Sequence, residues 1–305
     1  MKVEQIHRST GGGAATQTRL GMHARRFLLL STTLLVAACS SVKLGYNNAD
    51  TLLVYSLDSY FDLDDRQQEL ASERVRALLG WHRSTQLAGY AQLLTDAQRT
   101  LHGRVTADDI GALQQQMNAR LAALGERAAP DLAALALTLA PRQIERFAGK
   151  LANDSSKARR ELVHFAGARE TLDARIDRYT ERAATWFGSV NEEQARILRA
   201  AAAARAEDWW LDERVRRQRE MVQLLQRIHE DQPPAGEAAQ RVREFFAQLA
   251  EPRDPARRAA LAEYRRANAE LLARVINAAT PDQRAVLTRK LRGYAEDFTA
   301  LAAAR

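Results

Sequence analysis

From Leu53 to Leu301 the apolar residues recur three or four positions apart, the spacing that places them on one face of an α-helix. No segment alternates apolar and polar residues as a half-buried strand does, and no Asn-Gly or Asp-Gly pair marks a hairpin turn. The spacing therefore predicts an all-α fold, a multi-helix bundle of amphipathic helices.

Polar residues predict where several of these helices begin. Thr106–Asp109 and Thr280–Gln283 have the spacing of a capping box, and Pro281 suits the first position of a helix. Asp62 is the predicted N-cap of the helix that follows Phe61.

Other polar segments predict interruptions and ends. Asn153–Ser156 is expected to interrupt one apolar stripe. Asn191–Gln194 is predicted to cap a long helix that continues to His229, and Pro233-Pro234 to end it, because proline lacks the N–H that a helix interior requires.

The amino-terminal part ends its apolar run on Cys39, the only cysteine of the chain. Arg25-Arg26, the apolar run Phe27–Ala38 and the small residues before Cys39 form the pattern of a secretory signal. The run is shorter than the roughly 20 residues of a membrane-spanning helix, which favours a signal over an ordinary transmembrane anchor. The segment Leu34-Leu35-Val36-Ala37-Ala38-Cys39 resembles the lipobox of bacterial lipoproteins. The resemblance implies that Cys39 is lipidated and becomes the first residue.

The signal divides the chain into four parts. Residues 1–21 are expected to be a start-site extension, with translation starting at Met22, and an unusually long basic region is the alternative. Residues 22–38 are the expected lipoprotein signal peptide, 39–46 a lipidated tether and 47–305 a helical domain. A boundary at Asp231–Glu237 is conceivable, but the last three helices alone would make a thin core, which favours one continuous domain.

The mature chain predicted to start at Cys39 is nearly balanced in charge. It carries 40 basic and 37 acidic residues, and the arginines are interspersed with acids. Mixed charges along helices usually form a solvated face, so no nucleic-acid partner is expected. With one cysteine, an intrachain disulfide is impossible, and packing alone must hold the fold.

Four segments carry a resemblance to a known family: Cys39–Asn48, Tyr60-Phe61-Asp62-Leu63, Trp81-His82-Arg83 and Tyr90–Leu94. Together with Gln68, they resemble a family of Gram-negative lipoproteins catalogued as a domain of unknown function. The resemblance implies a helical envelope lipoprotein. It brings no known activity, so it implies no catalytic roles.

Residues with catalytic or metal-binding potential are few. Glu161 and His164 stand three apart, as in half of a carboxylate-bridged di-metal site, but the chain from Cys39 onwards has no second Glu-x-x-His and a local pair is favoured. Asp62, Asp64 and Asp65 are better explained by helix capping than by calcium, because Gln67 stands where a calcium loop that begins at Asp62 requires glycine. We therefore predict a protein that is not an enzyme, with no catalytic residue, no metal and no cofactor.

A possible interaction surface is predicted from aromatic and polar residues in the first helices. It comprises Tyr60, Asp62, Trp81, His82 and Arg83, with Arg83 offering a guanidinium fork to a carboxylate or phosphate. Trp209-Trp210 is considered for the same interface role, because aromatic rings dominate interfaces. The alternative is that these rings belong to the core and rim of the bundle.

The expected function is that of a lipid-anchored periplasmic protein with a non-enzymatic binding or envelope-scaffolding role. Its expected partners are the membrane, through the lipid, and an envelope protein of unknown identity. Ser40 follows the cysteine, where an inner-membrane lipoprotein usually has aspartate, so the outer membrane is the expected location.

A chaperone-like or stress-sensor protein is the alternative. Leu94–Gln98 matches the Leu-Thr-x-x-Gln repeat of small helical periplasmic stress chaperones, and Thr280–Gln283 matches it in part. Both segments also have the spacing of capping boxes. An enzyme of unrecognised class is the third possibility.

Overall fold

A computed structural model gives the fold of residues 42–163, 168–204 and 208–304; the side chains at 161–163, 168–171 and 208–210 are not described. Every regular element in these ranges is a helix, which confirms the all-α prediction. Residues 42–47 are helical, and Asn47 onwards forms one compact unit. Eleven further helices lie within the described ranges: α1 (Ala49–Phe61), α2 (Asp65–Thr85), α3 (Leu87–Thr100), α4 (Ala107–Ala136), α5 (Pro141–Val163), α6 (Ala168–Phe187), α7 (Glu192–Ala204), α8 (Asp208–Asp231), α9 (Ala235–Ala250), α10 (Pro255–Asn277) and α11 (Pro281–Ala303).

The predicted capping boxes at α4 and α11 are confirmed. The Thr106 hydroxyl accepts the Asp109 N–H at 3.1 Å, and the Thr280 hydroxyl accepts the Gln283 N–H at 3.3 Å. Each supplies a partner for a backbone donor that the first turn of a helix leaves unpaired.

The predicted N-cap at Asp62 is wrong. Asp62 lies in the left-handed region with φ 59°, and its N–H bonds the Asp58 carbonyl at 2.7 Å, which closes the end of α1. Asp64 caps α2 instead, because its backbone is extended, as an N-cap requires. Its carboxylate accepts the Gln67 N–H at 2.9 Å.

Helix α5 runs through Asn153–Ser156, the predicted polar interruption of an apolar stripe. The Asp154 carboxylate accepts the Tyr60 hydroxyl at 2.8 Å, and Ser155 donates to the Gln218 side chain at 2.6 Å. These polar side chains bind neighbouring helices, so they do not break their own. The predicted helix end before Pro233-Pro234 is confirmed, since α8 ends at Asp231. Residues 205–207, between α7 and α8, lie outside the described part.

Buried side chains form two apolar clusters in the described residues. The first is built from α1, α2, α4, α5, α8 and α9, and includes Phe61, Ala129, Phe147 and Ile228. The second gathers the end of α3, the start of α4 and helices α6, α7, α10 and α11. Helix α4 belongs to both, and at 30 residues it is the helix that links them.

One arrangement of helices occurs twice along the chain. In the first half, α1 packs against α2 and α5, and α2 packs against α4; in the second, α6 packs against α7 and α11, and α7 packs against α10. Phe61 and Phe187 end α1 and α6, and each precedes a left-handed residue, Asp62 or Gly188. Lys150 donates to the Ser59 carbonyl at 2.7 Å, as Lys290 does to the Thr185 carbonyl.

The sequence predicts that the mixed charges along the helices form a solvated face. On α8 this prediction is wrong. Glu213 is buried, and its carboxylate accepts hydrogen bonds from Arg216 and Arg217 of its own helix. Arg257 of α10, itself mostly buried, adds a third at 2.8 Å. The acid therefore joins two helices, which local charge spacing could not indicate.

Candidate interaction surface

The structure places the five predicted surface residues at opposite ends of α2. Tyr60 and Asp62 precede its first turn, whereas Trp81, His82 and Arg83 lie in its last turns. Helix α2 has 21 residues, and a helix of that length extends about 30 Å. The structure therefore brings these residues together in two groups rather than in one patch.

Tyr60 is held by two neighbouring side chains of α5. Its hydroxyl donates to Asp154 at 2.8 Å, and the Lys150 ammonium lies 4.7 Å from its ring centroid, within cation–π range. The hydrogen bond to Asp154 raises the pKa of Tyr60 above 10.0, and desolvation adds to the effect. Next to it, the Phe61 and Phe147 rings stack at 4.4 Å.

The first glutamine pair, Gln67 and Gln143, lies at the start of α2, and both side chains are buried. The Gln143 amide donates to Gln67 Oε1 at 2.6 Å, and the Gln67 amide donates to Gln143 Oε1 at 3.1 Å. Gln143 also donates to the Asp62 carbonyl at 2.9 Å, and Gln67 to the Thr138 carbonyl at 2.9 Å. The pair joins the start of α2 to the start of α5.

The second glutamine pair, Gln194 and Gln283, joins the starts of α7 and α11 in the same way. Gln283 donates to Gln194 Oε1 at 3.0 Å and to the Ser189 carbonyl at 2.9 Å. Gln194 is fully buried and donates to the Val275 carbonyl at 3.1 Å. A surface depression next to this pair is lined by Asn191, Glu192, Glu193, Arg196 and Thr280.

Neither glutamine pair was predicted from sequence. Each glutamine stands three positions after the residue at the helix start: Asp64, Ala140, Asn191 and Thr280. The repeated spacing is visible in the sequence. What it does not reveal is that these side chains meet across 76 and 89 positions.

The other end of α2 carries an aromatic cluster. His82 lies between Trp81 and Tyr90, with ring centroids 6.5 and 5.6 Å away, and Phe298 of α11 lies 6.0 Å from Tyr90. Arg120 of α4 sits 5.5 Å from the Tyr90 ring centroid. Burial lowers the pKa of His82 below 6.5, which favours the neutral imidazole at pH 7.

Arg83 binds within the chain. Its guanidinium donates to Asn47 Oδ1 at 2.8 Å and to the Leu301 carbonyl at 3.5 Å. Leu301 lies in the last turn of α11, where carbonyls lack helical partners and attract cations. These contacts connect residues 218 positions apart.

Several predicted features fall outside the described residues or side chains. They are Cys39 with its signal sequence, the Glu161–His164 pair and Trp209-Trp210. Within the described part of the chain, no three His, Cys, Asp or Glu side chains group as metal ligands. No helix there has the length and apolar character to span a membrane.

The fold and these contacts define an all-α protein in which buried glutamines pair the starts of distant helices. By sequence, the family of unknown function DUF6279 matches residues 59–249, more than half of the chain. The chain therefore belongs to that family. Neither the curated proteins nor the solved structures contain a match to it.

Proposed function

We propose that this protein is a lipid-anchored protein of the Gram-negative envelope, held at Cys39 on the periplasmic face of the outer membrane. It acts by binding or scaffolding an envelope partner and not by catalysis. The observation that carries the proposal is the segment Leu34–Cys39, a lipobox-like sequence that ends on the only cysteine and directly precedes the helical part.

The anchoring is tested by metabolic labelling with radioactive palmitate in a Gram-negative host. The wild-type chain should incorporate the label, and Cys39→Ser should lose it. The matched control is Ser41→Cys in the Cys39→Ser background, which restores a thiol two positions later and should remain unlabelled. Label in Cys39→Ser would contradict the anchor, and co-fractionation with inner-membrane markers would contradict the location.

The binding role is proposed for the surface around Trp81, His82 and Arg83, which are half-buried at the end of α2. Partly exposed tryptophan and arginine are the residue types that dominate interface energies. Because Arg83 also binds Asn47 and Leu301, its two possible roles must be separated by experiment.

Arg83→Ala separates partner binding from bracing of the fold. If Arg83 serves a partner, the variant keeps its melting temperature and loses envelope proteins captured by crosslinking. If Arg83 only braces the helices, stability falls and capture by the folded fraction is unchanged, which would rule out the interface. Arg76→Ala is the control on the same helix, since Arg76 is exposed and bonds only one turn back in its own helix, to Ser72, among the contacts described for it.

A chaperone-like role is the second candidate, and the repeated glutamine spacing favours it. Leu94–Gln98 lies inside α3, where Thr95 donates to the Ala91 carbonyl at 3.0 Å, so the interpretation of that segment as a capping box is wrong. The apolar-polar-x-x-Gln order instead starts α2, α7 and α11, with Ala140 in the polar position at α5. This order is similar to the Leu-Thr-x-x-Gln repeat of the small periplasmic stress chaperones.

Light scattering tests the second candidate. An equimolar amount of the chain should suppress aggregation of a chemically denatured protein on dilution, and heat-unfolded chain should not. Unchanged scattering across a tenfold excess would exclude the chaperone-like role and leave the binding proposal untouched.

A further inference from the structure

The first two turns of α1 expose apolar side chains to the outside of the molecule. Leu52 is 55% exposed, Leu53 43% and Tyr55 71%. A helix on the surface of a globular protein normally turns such residues toward the core and its charges outward. The amino-terminal half of α1 does the reverse.

The arrangement of side chains around α1 makes this face continuous. With about 100° between successive residues, Leu52, Leu53 and Tyr55 fall within one arc, and Ser56 lies between them. The two charged residues of α1, Asp50 and Asp58, fall outside that arc and are partly buried. Phe61, on the opposite side, is buried in the first apolar cluster. The outer face of this helix therefore carries apolar and hydroxyl groups and no charge.

The position of this face in the chain indicates what covers it. Ala49, where α1 starts, follows Cys39 by ten positions. Ten residues reach at most about 35 Å even when fully extended. If Cys39 carries the lipid, the exposed half of α1 is confined to the neighbourhood of the bilayer surface.

We propose that the face formed by Leu52, Leu53, Tyr55 and Ser56 lies in the interface of the membrane to which Cys39 is anchored. This inference rests on the proposed lipid anchor. The leucines enter the boundary between headgroups and acyl chains, and Tyr55 sits at the headgroup level, where tyrosine is enriched. The lipid then holds the protein at the bilayer, and α1 fixes its orientation on the membrane surface.

The experiment uses the full-length chain expressed in a Gram-negative host, purified from membranes and reconstituted into phosphatidylethanolamine–phosphatidylglycerol vesicles. Leu52→Cys introduces one attachment point for an environment-sensitive fluorophore. Leu121→Cys is the matched control, because Leu121 is a leucine of similar exposure, 52%, on α4. Doxyl groups on the acyl chains should quench the label at position 52 about twofold or more, since interfacial helices bury roughly 5–10 Å. The label at position 121 should be unaffected.

Two further measurements distinguish a failure of the lipid anchor from a failure of the membrane face. The parent chain, with Cys39 alone, should not take the thiol-reactive label, because an acylated Cys39 has no free thiol; labelling there would overturn the anchor itself. Equal quenching at positions 52 and 121, with the parent unlabelled, would overturn the membrane face and keep the anchor. A blue-shifted but unquenched label at position 52, together with a dimeric mass in detergent, would assign the face to a second copy and also overturn the proposal.

Discussion

At the scale of single residues, the buried glutamines provide hydrogen-bond partners for backbone groups that helix starts leave unpaired. The first four N–H groups of every helix lack partners within the helix, and a neighbouring helix cannot bury them without replacement acceptors. A glutamine three positions in supplies an acceptor to its own helix start and a donor to a distant carbonyl. Gln194 does this with Asn191 N–H at 3.2 Å and the Val275 carbonyl at 3.1 Å.

Gln194→Ala should therefore lower the free energy of unfolding by about 3 kcal/mol, because it strips partners from several buried groups at once. Urea denaturation followed by far-UV circular dichroism measures the change. Gln92→Ala is the control, since Gln92 is exposed and bonds only Asp96 within α3 among its described contacts; it should stay within about 0.5 kcal/mol of wild type. Equal losses in both variants would contradict the role of the pair.

Tyr60 should make the protein less stable in alkali. Its folded pKa is raised, chiefly by the hydrogen bond to Asp154, whereas an unfolded tyrosine loses its proton near pH 10. The contribution of Tyr60 is therefore complete below about pH 10 and is lost as the pH rises through the raised folded pKa.

Tyr60→Phe should cost about 1 kcal/mol at pH 7 and make the decline of stability above pH 10 less steep. Denaturation series at pH 7, 9 and 10.5 give both quantities. Tyr55→Phe, at an exposed position, should match wild type throughout. An unchanged alkaline slope in Tyr60→Phe would argue against the hydrogen bond.

At the scale of helices, close approach depends on small residues. Gly125 of α4 faces Phe246 of α9, whose Cγ would lie 3.2 Å from a Cβ added at that glycine. Gly111 on the same helix has nothing within 4 Å of such a Cβ. The two glycines therefore differ in packing and share the same helix and backbone conformation.

Gly125→Leu should destabilise the protein by about 1–3 kcal/mol through overpacking. Gly111→Leu should stabilise it by up to about 1 kcal/mol, because leucine has a much higher helix propensity than glycine. Thermal unfolding of the two variants beside wild type provides the comparison. Stabilisation by both substitutions would mean that α4 and α9 are not in close contact.

Helix existence could be predicted here far better than helix pairing. Periodic leucines and capping boxes at Thr106 and Thr280 are local signals, and each is confirmed. The polar segment Asn153–Ser156 gives no sign in the sequence that its partners are Tyr60 and Gln218. Glu213 reads as a surface acid until α10 brings Arg257 to it. Sequence reasoning failed here where the partner of a polar residue lies far away in the chain.

At the scale of the whole molecule, the last three helices are packed along the earlier ones. Helix α9 packs against α4, α10 against α4 and α7, and α11 against α3 and α6. Helix ends are tied across the same divide, since Asn277 and Val105 exchange hydrogen bonds at 2.7 and 2.9 Å.

The part of the chain from Ser40 onwards should therefore unfold in a single thermal transition. Nicking by protease at Gln232–Pro234, between α8 and α9, should leave the two fragments associated in native buffer. Addition of a chelator should change neither the helix signal nor the melting temperature, because the expected fold depends on packing alone. Calorimetry and size-exclusion chromatography give these readings, and two separate transitions would mean that residues 236–305 fold alone.

The packing of α3 against α11 has a consequence for the order in which the protein folds. Helix α3 is among the first parts of the domain to be synthesised and α11 is the last, yet Tyr90 and Phe298 meet with ring centroids 6.0 Å apart. Contacts between such distant segments form late, since the chain between them must first be ordered. The side of α3 that packs against α11 consequently stays uncovered until α11 has been synthesised, and chains that still lack α11 expose it to aggregation.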